Sequence, residues 1–218
     1  MNRKNAVIFT LIIFAIIIAI VLLTNKLNSE QTELESHPSI ENQPTIGDAD
    51  AVVSIVEFGD YKCPSCKAWG EDIYPKLKEK YIDTGKAKFS FINVLFHGNE
   101  SKLASLASES VYKQDPASFW DFHEAIFAAQ PEAQQHDQQW VTTDKLLEIA
   151  KSSAPNVDLN QLEEDINHDG TLEQVLIDDS LVKEFDIPFT PTIVINGVML
   201  KDPFDYKAIE SIIEEELK

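Results

Sequence analysis

The fold is decided by the stretch Val52-Val53-Ser54-Ile55-Val56-Glu57-Phe58-Gly59-Asp60-Tyr61-Lys62-Cys63-Pro64-Ser65-Cys66-Lys67. Its first part is apolar and rich in β-branched residues, which predicts a buried strand. Gly59 and Asp60 break this pattern, and two cysteines two residues apart then begin a predicted helix. A thiol at a helix N-terminus lies among unpaired N–H groups at the positive end of the helix dipole, so its thiolate is favoured. The spacing also lets the two thiols lie on one helical turn and form a disulfide with each other.

The composition excludes several classes of protein. The 218 residues are 44% hydrophobic, enough for one substantial core, and the net charge of −19 argues against binding to nucleic acid. The chain has only two cysteines, which excludes a scaffold of several disulfides and a four-cysteine zinc site. A metal site built on the pair would need further ligands, and the five histidines are scattered singly along the sequence.

The N-terminal region predicts a membrane anchor over residues 1–24. Residues 6–23 carry no charge, which is just enough to cross a hydrocarbon layer of about 30 Å as a helix. Arg3 and Lys4 precede the apolar run, which places the N-terminus in the cytosol and the rest of a single-pass protein outside. A cleaved signal peptide is the alternative, although the run exceeds the usual length and no small-x-small site follows it. Both interpretations predict a cell-surface, extracytoplasmic body, where disulfides persist.

The remaining chain predicts a tether, a sheet and a helical block. Residues 25–46 are polar and carry no periodicity, as is typical of a tether. Residues 47–98 predict the first strand, the cysteine helix kinked at Pro75 and a second apolar strand over residues 86–96. Residues 99–185 are helical in pattern almost throughout. Residues 186–218 predict a hairpin with an Asn196-Gly197 turn, followed by an amphipathic helix. This order predicts an α/β protein with a thioredoxin-like core and a helical insertion domain.

Three segments resemble one family. They are Val56 to Cys66 around the cysteine pair, Phe119-Trp120-Asp121-Phe122-His123, and Thr190-Pro191-Thr192. They are similar to segments of the DsbA-type thiol–disulfide oxidoreductases, in particular the membrane-anchored BdbD proteins of Gram-positive bacteria. The resemblance runs from about residue 40 to the C-terminus, so it is far more specific than the lone cysteine motif.

The resemblance implies roles for the residues of the motif. Cys63 would be the nucleophile and Cys66 the buried resolving thiol, with a redox-active Cys63–Cys66 disulfide and no cofactor required for catalysis. Glu57 would be a buried acid that handles the proton of Cys66; the alternative is a charge on a half-exposed strand. Pro64 and Ser65 would tune the redox poise. Lys62 could add positive potential near the thiolate or could be a solvated lysine.

The resemblance also assigns the segment at Thr190-Pro191. A proline at the start of a strand is often only an edge device. In the thioredoxin fold this loop carries a cis proline that faces the cysteines. Thr190 and Pro191 would therefore bind an extended substrate segment, which would pair with the backbone as an added strand.

A structural calcium ion is a further expectation. Asp178 lies on the apolar stripe of its predicted helix, where a carboxylate needs a partner, and Glu109 lies in a helix of small residues that should pack closely. BdbD-type proteins hold such an ion, and the resemblance would place its ligands on Gln43, Glu109 and Asp178. All three offer oxygen donors, which a hard cation requires. Salt bridges between these acids and lysines are the alternative.

The sequence thus predicts a membrane-tethered, monomeric thiol–disulfide oxidase. Its clients would be unfolded exported proteins with free thiols. The resemblance to the DsbA-type family further implies that a quinone-linked, DsbB-like membrane oxidoreductase would reoxidise it. A reductase or isomerase of the same fold is the first alternative, although isomerases usually dimerise through an N-terminal domain for which residues 25–46 are too short. A metal-binding or scaffolding protein that uses the fold without redox turnover is the second.

Overall fold

The computed structural model describes residues 12–18, 31–132 and 138–218, and the chain divides into two compact units, Met1–Thr32 and Glu33–Lys218. In the first unit, α1 covers residues 12–18. The rest of the predicted anchor, residues 1–24, lies outside the described residues. Across the three described ranges, no helix combines the length and the apolar character needed to cross a membrane.

A mixed sheet forms the centre of the fold. Its six strands lie in the order β1-β6-β5-β3-β4-β2. The bounds are β1 Thr32–Glu33, β2 Thr45–Gly47, β3 Val53–Gly59, β4 Ala87–Asn93, β5 Thr192–Ile195 and β6 Val198–Met199. The central strand β3 is parallel to β4 and antiparallel to β5, and all seven of its residues are buried. Burial on both faces explains the near-continuous apolar run in its sequence.

Helices cover the sheet and form a block of their own. Their bounds are α2 Pro64–Asp72, α3 Tyr74–Leu77, α4 Asn99–Gln114, α5 Phe119–Ala128, α6 Thr143–Ser153, α7 Leu159–Asn167, α8 Leu172–Glu184 and α9 Tyr206–Glu216. The single kinked helix predicted around Pro75 is instead two helices that meet at Ile73, followed by a π-helical turn at Lys78–Ile82. A proline removes a backbone donor and clashes with the preceding turn, which explains the break.

The tether predicted for residues 25–46 needs a correction over its described part. Strand β2 pairs antiparallel with β4, in a register that sets Thr45 opposite Ser90, and Pro44 accepts a hydrogen bond from the Phe91 N–H. Further upstream, the N–H of Leu34 donates to the carbonyl of Gly197. Backbone pairing at the edge of a sheet requires no hydrophobic periodicity, so the polar sequence of residues 31–46 gave no sign of strand β2.

The core consists of three buried clusters. One lies between α2, the end of β4 and helices α4 to α7, and it includes both cysteines. The second packs α2, α3 and α9 against one face of the sheet, and the third packs α8 against the other face. The two cysteines therefore lie where the sheet meets the helical block, and they pack against the buried side chains of the first cluster.

Candidate active site

The turn Asp60–Cys63 joins β3 to α2 and places Cys63 at the helix N-terminus. The N–H of Cys63 donates to the carbonyl of Asp60 at 2.9 Å, and the Lys62 N–H donates to the Asp60 carboxylate at 2.9 Å. Cys63 is the N-cap residue in an extended conformation, and Pro64 follows at the first helical position, where its missing N–H costs nothing. The thiol thus occupies the position at which capping side chains normally accept the first N–H groups of a helix.

The environment of Cys63 favours the ionised form of its thiol. A hydrogen bond from the Cys66 thiol is the largest cause that lowers the pKa of Cys63 to about 5, and smaller contributions come from the side chain of Thr190 and from the N–H groups of Cys66 and Ser65. Desolvation opposes this lowering, since Cys63 is only 7% exposed. When protonated, the Cys63 sulfur donates to the carbonyl of Thr190 at 3.4 Å. That bond favours the thiol, so the lowered pKa arises from the donors around the sulfur.

Cys66 and Glu57 form the buried half of the site. Cys66 is 1% exposed, and burial is the largest cause that raises the pKa of its thiol; the Asp60 N–H donates to its sulfur at 3.4 Å. Glu57 is 3% exposed on β3 between Phe91 and Ile193, and burial, followed by repulsion from Cys63, raises the pKa of its carboxyl well above the usual range. Within the described residues, Glu57 Oε1 has no hydrogen-bond partner. The position is that of the buried acid the sequence predicts, and the half-exposed alternative is wrong.

A cavity of about 430 Å³ reaches both buried groups. Glu57, Cys66 and His123 contribute to its lining together with aromatic side chains of α3, α5 and β4, and Lys67, Glu71, Lys78 and Glu124 supply its charged groups. Because Glu57 Oε1 has no partner among the described residues and Glu57 lines this space, the cavity is where its carboxyl can meet water or the Cys66 thiol. His123 is buried, and burial lowers its pKa to about 3, so its imidazole stays neutral in the cavity wall.

The loop before β5 lies against the cysteines. The Thr190–Pro191 peptide bond is cis, as the sequence predicts. The 3.4 Å contact between the Cys63 sulfur and the Thr190 carbonyl places this loop directly beside the reactive thiol. The predicted binding of a substrate segment at Thr190 and Pro191 stays a prediction, and its location fits an exchange reaction at Cys63.

Lys62 is buried, so the solvated lysine that the sequence offered as one alternative is wrong, whereas its tuning of the thiolate stays a prediction. Its side chain is 6% exposed, its ammonium forms a salt bridge with Glu100, and it donates to the carbonyl of Gln138 at 2.8 Å. Glu100 also accepts the N–H groups of Trp140 and Val141. The charge of Lys62 is therefore compensated, so the lysine is not solvated, and the arrangement favours a structural role over tuning of the thiolate. The tuning expected of Pro64 and Ser65 stays a prediction.

Two polar residues of the site were missed from the sequence. Asp60 is completely buried, and its carboxylate accepts from Lys62 N–H, from Ser101 Oγ at 2.9 Å and from the backbone and ring of His97. Gln130 follows α5 and donates from Nε2 to the carbonyls of Tyr61 and Cys63. The Gly59-Asp60 pair marked a turn, whereas nothing in the local sequence pointed to Gln130.

The three residues expected to hold calcium do come together. Gln43 Nε2 donates to Asp178 Oδ1 at 2.7 Å, and Asn93 Nδ2 bridges Glu109 Oε1 and Asp178 Oδ2 at 2.9 and 2.8 Å. Burial, and for Glu109 also repulsion from Asp178, raises the pKa of both carboxyls. Among the described residues no lysine forms a salt bridge with either acid, so the alternative expected from the sequence is wrong there.

This oxygen-rich cluster fits a hard cation. It contains two buried carboxylates and two amide side chains, and no cationic side chain within residues 31–132 and 138–218 pairs with the carboxylates. Rotation of either amide would present an oxygen. No group of three or more His, Cys, Asp or Glu side chains suited to a metal occurs in the part of the chain that the structure describes. The cluster thus depends on its amides to complete an oxygen shell, and the thiols take no part in it.

Comparison with known proteins identifies the fold and the chemistry. The family model described as thioredoxin matches residues 39–215. Disulfide bond formation protein D of Bacillus subtilis is 46% identical over 194 residues, which cover 89% of this chain and 86% of the relative. The crystal structure of oxidised BdbD from Bacillus subtilis matches with a TM-score of 0.81, covering 85% of this chain and 98% of that one. Chlamydia trachomatis DsbA, 23% identical with a TM-score of 0.70 over 81% and 92% of the two chains, shares the fold.

The fold, the cysteine pair and these relatives define a thiol–disulfide oxidoreductase with a thioredoxin fold, whose redox centre is the Cys63–Cys66 pair and which needs no cofactor for catalysis. The predicted thioredoxin-like α/β fold is confirmed. Within the thioredoxin class, the chain belongs to the family of disulfide bond formation protein D.

Proposed function

We propose that this protein is an extracytoplasmic oxidase that introduces disulfide bonds into exported proteins. The observation that carries the proposal is the contrast between the two thiols: the pKa of Cys63 is lowered to about 5, and that of Cys66 is raised. Stabilising one thiolate stabilises the reduced dithiol, and a couple whose reduced form is stabilised is a strong oxidant. The name of the relative, disulfide bond formation protein D, supports this direction.

The exchange proceeds in two steps. A substrate thiolate attacks Cys63 of the Cys63–Cys66 disulfide; the bond between the two cysteines breaks, a mixed disulfide forms, and Cys66 leaves as a thiolate. Protonated Glu57 supplies the proton that Cys66 takes up, since both groups share the cavity and both have raised pKa values. A second substrate thiolate then attacks the substrate sulfur of the mixed disulfide and releases Cys63 as a thiolate. The substrate is oxidised by two electrons and the enzyme is reduced.

Turnover requires a partner that takes these electrons back. We propose a DsbB-like membrane protein that passes them to quinone, with Cys63 again forming the mixed disulfide. In this direction Glu57 accepts the Cys66 proton. Unfolded exported proteins with free thiols are the proposed clients. Their extended backbone would pair beside Thr190 and Pro191, next to the reactive sulfur.

The proposed location is the outer face of the cell membrane, with a monomeric domain held by residues 1–24. The support comes from the uncharged run at residues 6–23 and the bases before it. A membrane-impermeant maleimide, added to intact cells after mild reduction, should label the wild-type protein. The Cys63→Ser, Cys66→Ser double variant should remain unlabelled. Labelling that appears only after lysis would contradict the location.

A structural calcium ion is part of the same proposal. Gln43, Glu109 and Asp178 would hold it, with Asn93 beside them. When bound, the ion supplies the positive charge that the two buried carboxylates lack, and it stabilises the folded state without a role in the thiol chemistry.

Equilibration of the purified full-length protein with glutathione buffers tests the function. An oxidase should have a reduction potential well above the value of about −270 mV typical of thioredoxin, in the direction of about −120 mV. A value near −270 mV would favour the reductase alternative. In a parallel assay, Cys66→Ser is first incubated with oxidised glutathione, which places a glutathione mixed disulfide on Cys63. A thiolate of a reduced, unfolded protein should then displace glutathione and leave a trapped mixed disulfide with Cys63, whereas Cys63→Ser should trap none. Full oxidation activity in Cys63→Ser would favour a scaffold without redox turnover.

A further inference from the structure

Gln130 is a buried polar residue with a contact to the active-site turn from outside its local sequence. It follows α5, is 7% exposed, and lies 67 residues after Cys63 in the chain. Its Nε2 donates to the Tyr61 carbonyl at 2.8 Å and to the Cys63 carbonyl at 3.2 Å. One amide therefore connects the two residues that flank Lys62.

A hydrogen bond to the Cys63 carbonyl restrains the backbone of the residue that carries the reactive sulfur. It also accepts the first helical hydrogen bond of α2, from the Lys67 N–H at 3.3 Å. As the N-cap residue, Cys63 has the backbone angles that decide where its sulfur lies relative to the N–H groups of Ser65 and Cys66. The capping side chain here is a sulfur without a cap hydrogen bond of the usual kind, so it does not fix this geometry by itself.

The turn is held from the opposite side by Asp60. The Asp60 carboxylate accepts the Lys62 N–H, and the Asp60 carbonyl accepts the Cys63 N–H. Asp60 thus holds N–H groups of the turn, and Gln130 holds its carbonyl groups. Without Gln130, the carbonyls of Tyr61 and Cys63 would each lose a donor in a place with little access to water, which is unfavourable for a buried polar group.

We propose that Gln130 is a positioning residue for thiol–disulfide exchange, whose side-chain amide fixes the first turn of α2 around the Cys63 sulfur. The amide does not touch the reacting sulfur; it acts through the backbone of the nucleophile. It also links the end of α5, in the helical block, to the redox centre. The inference rests on the thiol–disulfide chemistry of the site and holds for an oxidase and a reductase alike.

Gln130→Met in the full-length protein tests this role, because methionine keeps the length and volume of the side chain and removes both donors. Loosening the N–H groups around the sulfur should raise the Cys63 pKa by half a unit to one unit, which is a threefold to tenfold loss of thiolate stability. The equilibrium with glutathione should shift toward the disulfide form by the same factor, or about 15–30 mV at 29.6 mV per tenfold change. Thiolate absorbance at 240 nm and redox titration give the two values.

Two further variants make the test decisive. Gln114→Met is the matched control. Gln114 is half-buried and its amide is also hydrogen-bonded, to Ser110 Oγ and to the Asp158 N–H, but it lies away from the turn. It should leave pKa and redox equilibrium unchanged. Gln130→Asn keeps an amide that is too short to reach both carbonyls, and it should reproduce the shift if Gln130→Met fails to fold.

A variant at position 130 that loses stability but keeps the wild-type Cys63 pKa and redox equilibrium would overturn the proposal, since Gln130 would then be a packing residue only. This outcome differs from failure of the proposed oxidase function. A wild-type potential near that of thioredoxin would refute the oxidase while leaving the comparison between variant and wild type intact.

Discussion

The Cys63 sulfur lies 3.4 Å from the carbonyl oxygen of Thr190, so the thiol at the start of α2 and the loop proposed to bind substrate are in direct contact. A carbonyl beside a sulfur accepts a hydrogen bond from a thiol and repels a thiolate. The nucleophile therefore ionises easily because other groups outweigh this contact, above all the Cys66 thiol, which is its strongest hydrogen-bond donor. The reactivity of one cysteine thus depends on the protonation of the other.

This arrangement predicts the pH dependence of alkylation. Reaction of the reduced protein with iodoacetamide should be half-maximal near pH 5 and level above about pH 6, because the lowered pKa keeps Cys63 ionised there. Since the folded-state pKa lies below the unfolded value of about 8.5, the reduced state is stabilised above that pH and loses this stabilisation as the pH falls through 5. Cys63→Ser is the control, and a half-maximal rate near pH 8 would contradict the prediction.

The Glu57→Gln variant tests the buried acid. The raised pKa of Glu57 means that the folded protein holds a proton which the unfolded chain releases above about pH 4.3, so this group lowers stability increasingly as the pH rises. Glutamine removes that penalty, and the variant should be more stable than the wild type by about 1–3 kcal/mol at pH 8 and nearly equal to it at pH 4. Disulfide exchange should be slower, because the proton relay to Cys66 is lost.

Urea denaturation at the two pH values measures the stability difference. Glu71→Gln is the matched control, because Glu71 also lines the cavity but is exposed. It should change stability by less than about 0.5 kcal/mol at either pH. A Glu57→Gln variant whose stability follows that of the wild type at every pH would remove Glu57 from the proton relay.

Because Glu100 neutralises the charge of Lys62, we expect removal of this lysine to lower the stability of the protein but to leave the pKa of Cys63 nearly unchanged. Lys62→Met leaves Glu100 without its ion-pair partner in a site with little exposure, and it should cost about 1–3 kcal/mol of stability. The Cys63 pKa should hardly change, because the lysine charge is already neutralised. Lys145→Met removes an exposed ion pair with Glu148 and should cost no more than about 0.5 kcal/mol. A rise of a full unit in the Cys63 pKa would restore the tuning role.

Sequence patterns predicted the elements well because each has its own signal. The buried run of β3, the helix-start cysteines and the Asn196-Gly197 turn are local, and the structure has all three. Strand β2 was missed because it is a three-residue edge strand, too short to show a hydrophobic periodicity. The solvated alternative for Lys62 was wrong because its partner, Glu100, is 38 residues away in the chain. Contacts of this kind depend on the packing of the helical block, which no local pattern encodes.

Calcium removal tests the oxygen-rich cluster. Calcium should raise the midpoint of thermal unfolding relative to the protein in chelator, since at a hundred times the dissociation constant a ligand stabilises by about 2.7 kcal/mol. Binding should release protons near neutral pH, because the raised pKa values of Glu109 and Asp178 keep the cluster partly protonated without the ion. Asp178→Asn should abolish the response and Glu164→Gln, an exposed change, should keep it. Equal midpoints with calcium and chelator would exclude the ion.

Two glycines close to the redox pair should respond oppositely to alanine. Gly70 lies inside α2, and an added Cβ would meet nothing within 4 Å, so Gly70→Ala should stabilise the protein by about 0.5–1 kcal/mol through helix propensity. At Gly59 a Cβ would lie 2.3 Å from the Phe91 ring and 2.9 Å from Glu57 Oε1, so Gly59→Ala should cost about 1–3 kcal/mol. Urea denaturation of both variants measures the effects.

The same two variants should also differ in the rate of disulfide exchange. The end of β3 must lie close to Phe91 to place Glu57 near Cys66, so Gly59→Ala should slow the exchange and Gly70→Ala should not. Equal exchange rates would show that the close approach of Gly59 to Phe91 serves packing alone.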